Sequence, residues 1–140
     1  MALLSHFPAG YAGCDLVCVA APKKLEDLML FPDHFLAVRA TVEANREDEF
    51  NRWYNTEHIP DVVNMFPACL GASRFKVTDG DGSHQYMALY AFRSAAELEQ
   101  AFSSAEIKEL IRRYDEAIGS FSTRARTTYT QVFHYEKPSR

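Results

Sequence analysis

The 140-residue chain lacks most of the marks that announce a cofactor, a nucleic acid or a membrane. No lysine or arginine occurs between Met1 and Ala21, so the basic start of a secretory signal is missing. The apolar stretch Leu16–Ala21 is too short to cross a bilayer. Three cysteines, Cys14, Cys18 and Cys69, cannot all pair, and none has the two-residue spacing of a metal-binding pair. They read as buried free thiols of a cytoplasmic protein. Asp79-Gly80-Asp81-Gly82 has neither the lysine nor the helix of a phosphate-cradling loop. No Gly-x-Ser-x-Gly nucleophile turn is present, and no histidines stand at metal-ligand spacing. Basic residues are scattered, the longest runs being pairs such as Lys23-Lys24 and Arg112-Arg113, and the net charge is −4. That argues against a nucleic-acid partner. The expected partner is a small molecule or a second copy of the chain, with no metal and no cofactor.

What is present is apolar and aromatic. Hydrophobic side chains make up 47% of the sequence, enough for one real core. The most informative stretch is Trp53-Tyr54-Asn55-Thr56-Glu57-His58-Ile59-Pro60. Rings, an amide, a carboxylate and an imidazole lie within two helical turns, followed by a proline. Pro60 cannot donate to the carbonyl of Thr56 and disfavours helical dihedrals at Ile59, which predicts a kink near His58. Histidine is the side chain most ready to exchange a proton near neutrality.

Periodicity predicts the order βαββαβ. His34–Glu43 reads as a strand, and Asn45 as the cap of a helix carrying Phe50, Trp53 and Tyr54. The helix resumes at Pro60 with Val62, Val63 and Phe66. Cys69–Thr78 and His84–Phe92 read as strands joined by the Asp79–Gly82 hairpin turn. Ser94 and Glu97 form a capping box. The helical pattern that follows breaks near Ser103 and Ser104 and stops at Gly119, and Thr123–Tyr135 is a last strand.

Alternation within strands predicts two unlike faces. Leu36, Val38, Ala40 and Val42 oppose Phe35, Arg39 and Thr41, and Met87, Leu89 and Ala91 oppose Tyr86, Tyr90 and Phe92. The aliphatic faces suit two helices, and the mixed faces suit a ligand cavity. Two helices cover one face of a four-stranded sheet, so the other needs a cover. A second copy packed sheet to sheet is the expected one. The alternative is the segment Met1–Pro32, in which Asp15–Ala21 reads as an extra strand and Pro22–Phe31 as a short helix. Residues 1–33 thus read as an extension and 34–140 as the domain.

His34 to Tyr135 resembles the dimeric α+β barrel superfamily, nearest its small cofactor-independent branches related to the EthD-like proteins. The resemblance rests on Phe50, Trp53 and Tyr54, on Glu57-His58-Ile59-Pro60, on Gly71-Ala72-Ser73-Arg74-Phe75, and on Tyr129 and Phe133. It implies an α+β, ferredoxin-like fold with a four-stranded antiparallel sheet, assembled as a homodimer. It also implies polyketide cyclases, isomerases, lyases, cofactor-free monooxygenases or haem enzymes as models, among which fold does not choose.

Without a cofactor motif, proton transfer is the simplest chemistry. On that reading His58 is the acid or base, Tyr54 or Asn55 hydrogen-bonds a developing oxyanion, and Glu57 orients or polarises the imidazole. Arg74 or Arg39 anchors an anionic group, Trp53 and Tyr86 sandwich a ring, and Tyr90 lines the cavity. The expected activity is that of a lyase or isomerase acting on a small aromatic or polyketide-like acid. Rival readings are a cofactor-free or haem-dependent monooxygenase, with His58 or His84 as haem ligand, and a non-catalytic dimer that sequesters a ligand. For His58 itself, the structural alternative is a cap on carbonyls freed by Pro60.

Overall fold

The computed structural model describes residues 31–139. The expected strand Asp15–Ala21 and helix Pro22–Phe31 lie outside them, apart from Phe31, as do Cys14 and Cys18. The chain runs from β1 (His34–Val42) through a 3-10 turn (Ala44–Arg46) into α1 (Glu47–Trp53). A π-helical turn (Tyr54–His58) leads without a break into α2 (Ile59–Met65). Then come β2 (Cys69–Lys76), β3 (Tyr86–Phe92), α3 (Ala95–Phe102), α4 (Ala105–Ile118) and β4 (Ser122–Thr130). The strands pair antiparallel in the order β2-β3-β1-β4. This is the ferredoxin-like βαββαβ arrangement, an α+β fold.

Several local expectations hold, and others are corrected. Ser94 accepts from the Glu97 amide at 3.2 Å and donates to its carboxylate, so the box forms with its return bond at the Ser94 hydroxyl rather than the Ser94 amide. The helical pattern breaks at Ser103 and Ser104. Asn45 does not cap α1; the chain enters it through the 3-10 turn, with Glu47, Asp48 and Glu49 at the positive end of the dipole. The hairpin loop closes where the Val77 amide donates to the Gln85 carbonyl, and Gly82 takes a left-handed φ of +77°. β4 ends at Thr130, five residues short of the expected Tyr135. The kink is also absent in its expected form. Ile59 keeps helical dihedrals (φ −60°, ψ −49°), and its amide donates to the Tyr54 carbonyl five residues back. Widening the turn by one residue relieves the clash that Pro60 would make with the preceding turn, at no cost in helical dihedrals.

The face assignment is right for β1 and inverted for β3. Directly paired residues share a face, and Leu36 pairs with Tyr90, Val38 with Ala88 and Ala40 with Tyr86. Tyr86, Tyr90 and Phe92 are therefore buried with the aliphatic residues of β1, against the helices. Small residues make this possible: Ala40 and Ala88 leave depth for rings between sheet and helix. Phe50 of α1 fills part of it, 4.9 Å from the Tyr54 ring and 5.5 Å from the Tyr86 ring. From α4, Leu110, Tyr114 and Ile118 enter the same core at four-residue spacing. The opposite face carries Phe35, Arg39, Phe75, Met87, Leu89 and Tyr129, with Phe35 stacked on Tyr129 at 4.9 Å.

Replacing the cap in Ser94→Ala is expected to lower unfolding stability by about 1 kcal/mol, because it frees one amide donor of α3. Urea denaturation of the two proteins checks this. An unchanged midpoint would mean that water satisfies the amide equally well.

Candidate functional site

The π turn sorts its own side chains. Tyr54 and His58, four residues apart, point inward from one face of the helix, and their rings meet edge to face at 5.1 Å. Asn55, Thr56 and Glu57 are exposed on the other side. Trp53 stacks on the His58 ring at 4.8 Å and 19°, and Tyr114 of α4 presents its ring edgewise at 5.8 Å. Among the described residues no group hydrogen-bonds either nitrogen of His58. The imidazole therefore does not cap carbonyls near Pro60. Among the described residues it is held by ring contacts, and none of them engages its nitrogens.

These residues line an apolar cavity of about 50 Å³ between the sheet and the helices, inside one chain. Tyr54, His58, Tyr90 and Tyr114 form its polar wall, and Leu36, Val38, Val62, Leu98 and Leu110 are among its aliphatic walls. From β4, Arg124 and Arg126 complete the lining. Strand alternation predicts that Tyr86 and Tyr90 line a cavity on the opposite face of the sheet, whereas the register of β3 puts both on this face.

Burial sets the protonation states. It pushes the His58 pKa down to about 4, helped by the positive charge of Arg124 and opposed by Asp61. The imidazole is thus neutral at pH 7 and ready to accept a proton. Burial, with Tyr90 and Tyr114 close by, pushes the Tyr54 phenol up so that it stays protonated as a donor. Burial acts the same way on Tyr90. The Tyr90 hydroxyl is also buried without a hydrogen-bond partner among the described residues. An orphaned polar group of this kind calls for an explanation, because its lost hydration is uncompensated.

The predicted site residues divide into four groups. His58, Tyr54 and Tyr90 share the cavity wall, and Trp53 supports His58 from behind. Arg74, Asn55 and Tyr86 belong to a polar network beside the cavity. Arg74 donates to Asn55 and to Asn51, each at 2.9 Å, and its guanidinium lies over the Tyr54 ring at 4.5 Å. Asn51 donates to the Tyr86 hydroxyl, which donates to Glu47 at 2.7 Å. Arg74 is thus a clamp on α1 and the π turn, and Asn55 is engaged in holding it. Glu57 is exposed and is not part of the cavity lining. Arg39 is exposed on the opposite face of the sheet.

Tyr114, Arg124 and Arg126 went unnoticed as site residues. Tyr114 was visible only as a core position of α4. Arg124 and Arg126, two apart on β4, had a signal in strand alternation, but only pairing with β1 shows which face they take.

Among the described residues no group of three or more His, Cys, Asp or Glu side chains is placed to hold a metal ion. No described helix is long and apolar enough to cross a membrane. A family model described as a domain of unknown function, DUF4286, matches residues 34–132. The chain belongs to that family. No curated protein matches it. Solved structures do resemble this DUF4286 chain in fold. HapK from Hahella chejuensis is 7% identical with a TM-score of 0.56, covering 76% of this chain and 99% of its own. A candidate antibiotic biosynthesis monooxygenase from Deinococcus radiodurans is 8% identical with a TM-score of 0.55, covering 76% and 99%. An ethyl tert-butyl ether D (EthD) family protein from Bacillus halodurans is 15% identical with a TM-score of 0.50, covering 67% and 94%. The fold is that of the ferredoxin-like α+β barrel proteins, EthD-like proteins included, as the resemblance implied.

The buried imidazole makes stability depend on pH with a definite sign. The unfolded chain binds the His58 proton below about pH 6.5, whereas the native site binds it only near pH 4. Stability from this group is therefore full above 6.5 and falls as the pH drops towards 4. An NMR titration of the His58 ring is expected to give a midpoint near 4, raised in Arg124→Gln. A midpoint at the ordinary histidine value would show the ring to be solvated.

Proposed function

We propose that this DUF4286 chain is a cofactor-independent enzyme that moves a proton on a small aromatic or polyketide-like acid, as a lyase or isomerase does. One observation carries the reading. A buried imidazole, neutral at pH 7 and hydrogen-bonded by no described residue, meets the protonated Tyr54 phenol edge to face on the wall of an apolar cavity. His58 would take a proton from a carbon beside a carbonyl or phenol and return it elsewhere on the product, so that no electrons leave the substrate. The oxyanion that develops would be met by the Tyr54 phenol, since Asn55 is exposed and is not part of the cavity lining. Trp53 keeps the imidazole plane fixed, and Arg74 holds the π turn that carries it.

A cofactor-free monooxygenase is the second reading. Its support is the apolar cavity, which admits dioxygen, and the likeness in fold to the Deinococcus candidate monooxygenase. There a substrate methylene becomes a carbonyl; one oxygen atom enters the product and the other leaves as water with the two hydrogens. We place either chemistry in the cytoplasm, where Cys69 remains a free thiol.

On a substrate found by screening such acids, His58→Ala is expected to lower kcat/KM by roughly 10²–10⁴-fold, with deuterium from solvent entering the wild-type product. Full turnover by the variant would end the proton-transfer reading. Stoichiometric oxygen uptake would favour the second.

The homodimer is part of the same reading. The face opposite the helices carries Phe75 and Tyr129, 49% and 44% exposed, and is the surface a twin chain would cover. Sedimentation velocity is expected to give about twice 15.9 kDa, with Tyr129→Glu shifting the protein to monomer. A monomer at micromolar concentration would remove the dimer and leave the cavity intact, since one chain forms it.

A further inference from the structure

The cavity does not end at His58. A wider groove of about 510 Å³ lies between the α3–α4 junction and β4, and Phe102, Ile107, Ile111 and Arg126 line both spaces. Lys108, Thr127 and Thr128 complete the groove, and among the described residues its lining holds two basic side chains and no carboxylate. This is notable in a chain whose net charge is −4. Neighbouring arginines are paired, Arg113 with Asp61 and Glu109, and Arg124 with Asp115. Arg126 has no ion pair among the described residues; its guanidinium lies 5.5 Å over the Phe102 ring. Further in, the Tyr90 hydroxyl is buried and has no partner among the described residues. An exposed cation at one end and an orphaned donor at the other bracket a single apolar path.

We propose that this path binds an amphipathic carboxylate, whose anionic group is held by Arg126 at the mouth and whose inner oxygen accepts from Tyr90. The proposal deepens the functional reading above by naming the anchor and entry route of its substrate, and it rests on that reading only for the chemistry at His58. It also replaces the anchors read from sequence: Arg74 is committed to Asn51 and Asn55, and Arg39 faces the other way. Size agrees with it. The inner cavity of about 50 Å³ is well below the roughly 150 Å³ that takes benzene, so a ring must extend between Phe102 and Ile107 towards Arg126. A guanidinium matches a carboxylate with two parallel donors, and the Phe102 ring beneath it limits its alternatives.

Titration calorimetry of the full chain tests this with 6-methoxy-2-naphthoate and 8-methoxyoctanoate, each with an ether oxygen far from its carboxylate, against the neutral 6-methoxy-2-naphthylmethanol and 8-methoxy-1-octanol. At least one acid is expected to bind, and Arg126→Gln is expected to weaken it about tenfold or more. The same change should leave the matching alcohol nearly unaffected, and Arg126→Lys should restore part of the loss. Tyr90→Phe is expected to weaken the acid by about threefold to tenfold while keeping or raising the thermal midpoint, because it removes an unpaired buried hydroxyl. No saturable binding of either acid at millimolar concentration would overturn the proposal. So would equal losses for acid and alcohol in Arg126→Gln. A lowered midpoint with unchanged binding in Tyr90→Phe would overturn the inner contact. Failure here is separable from failure of the chemistry: acid binding through Arg126 with full turnover in His58→Ala removes only the proton-transfer role.

Discussion

Pro60 has neither an amide hydrogen to give nor room for a carbonyl of the preceding turn, and the helix carrying the site is shaped by that. The chain keeps helical dihedrals and spreads the misfit over one π turn, closed by the Ile59 amide on the Tyr54 carbonyl. Within it the Thr56 hydroxyl donates to the Arg52 carbonyl at 2.7 Å, satisfying backbone from the side chain. Tyr54 and His58 stay together on the inner face, and Trp53 comes flat against the imidazole. Arg74 reaches across from β2 to bind Asn51 and Asn55, tying the start of this segment to the sheet. The geometry of the imidazole thus depends on a backbone adjustment and a guanidinium that themselves touch no substrate.

The electrostatics of the cavity run against those of the chain. An acidic protein builds a pocket whose lining holds two arginines and no carboxylate. Arg124 lies 3.7 Å over the Tyr114 ring and helps to keep His58 neutral, while burial keeps the phenols protonated. A neutral base, neutral donors and a cationic mouth form a consistent set for an anionic guest. The guest's charge is compensated at the rim, and the interior stays uncharged until the proton moves.

Much of this was legible in the residues. The βαββαβ order, the Ser94–Glu97 box and the break at Ser103 and Ser104 follow from short-range patterns, and all are present. So does the pairing of Tyr54 with His58, because four residues along a helix bring side chains to one face. The sequence reading went wrong where two segments must be aligned with each other. Tyr86 and Tyr90 were assigned to the face with Arg39, yet pairing with Ala40 and Leu36 puts them under the helices. Asn55, adjacent in sequence to Tyr54, was taken for a cavity residue and instead binds Arg74 from the exposed side. Alternation puts Arg124 and Arg126 on one face of β4, but nothing local links β4 to α4 to show that this face meets the cavity.

The sequence by itself determined the elements, their order and the helix face that carries Tyr54 and His58, since these depend on residues a few positions apart. Only the tertiary structure decided on which side of the sheet the cavity lies, which arginines enter it and which are committed elsewhere. Alternation along a strand separates two sets of side chains without saying which set faces the core. That choice comes from register with a distant strand, where one residue of slip exchanges the two faces.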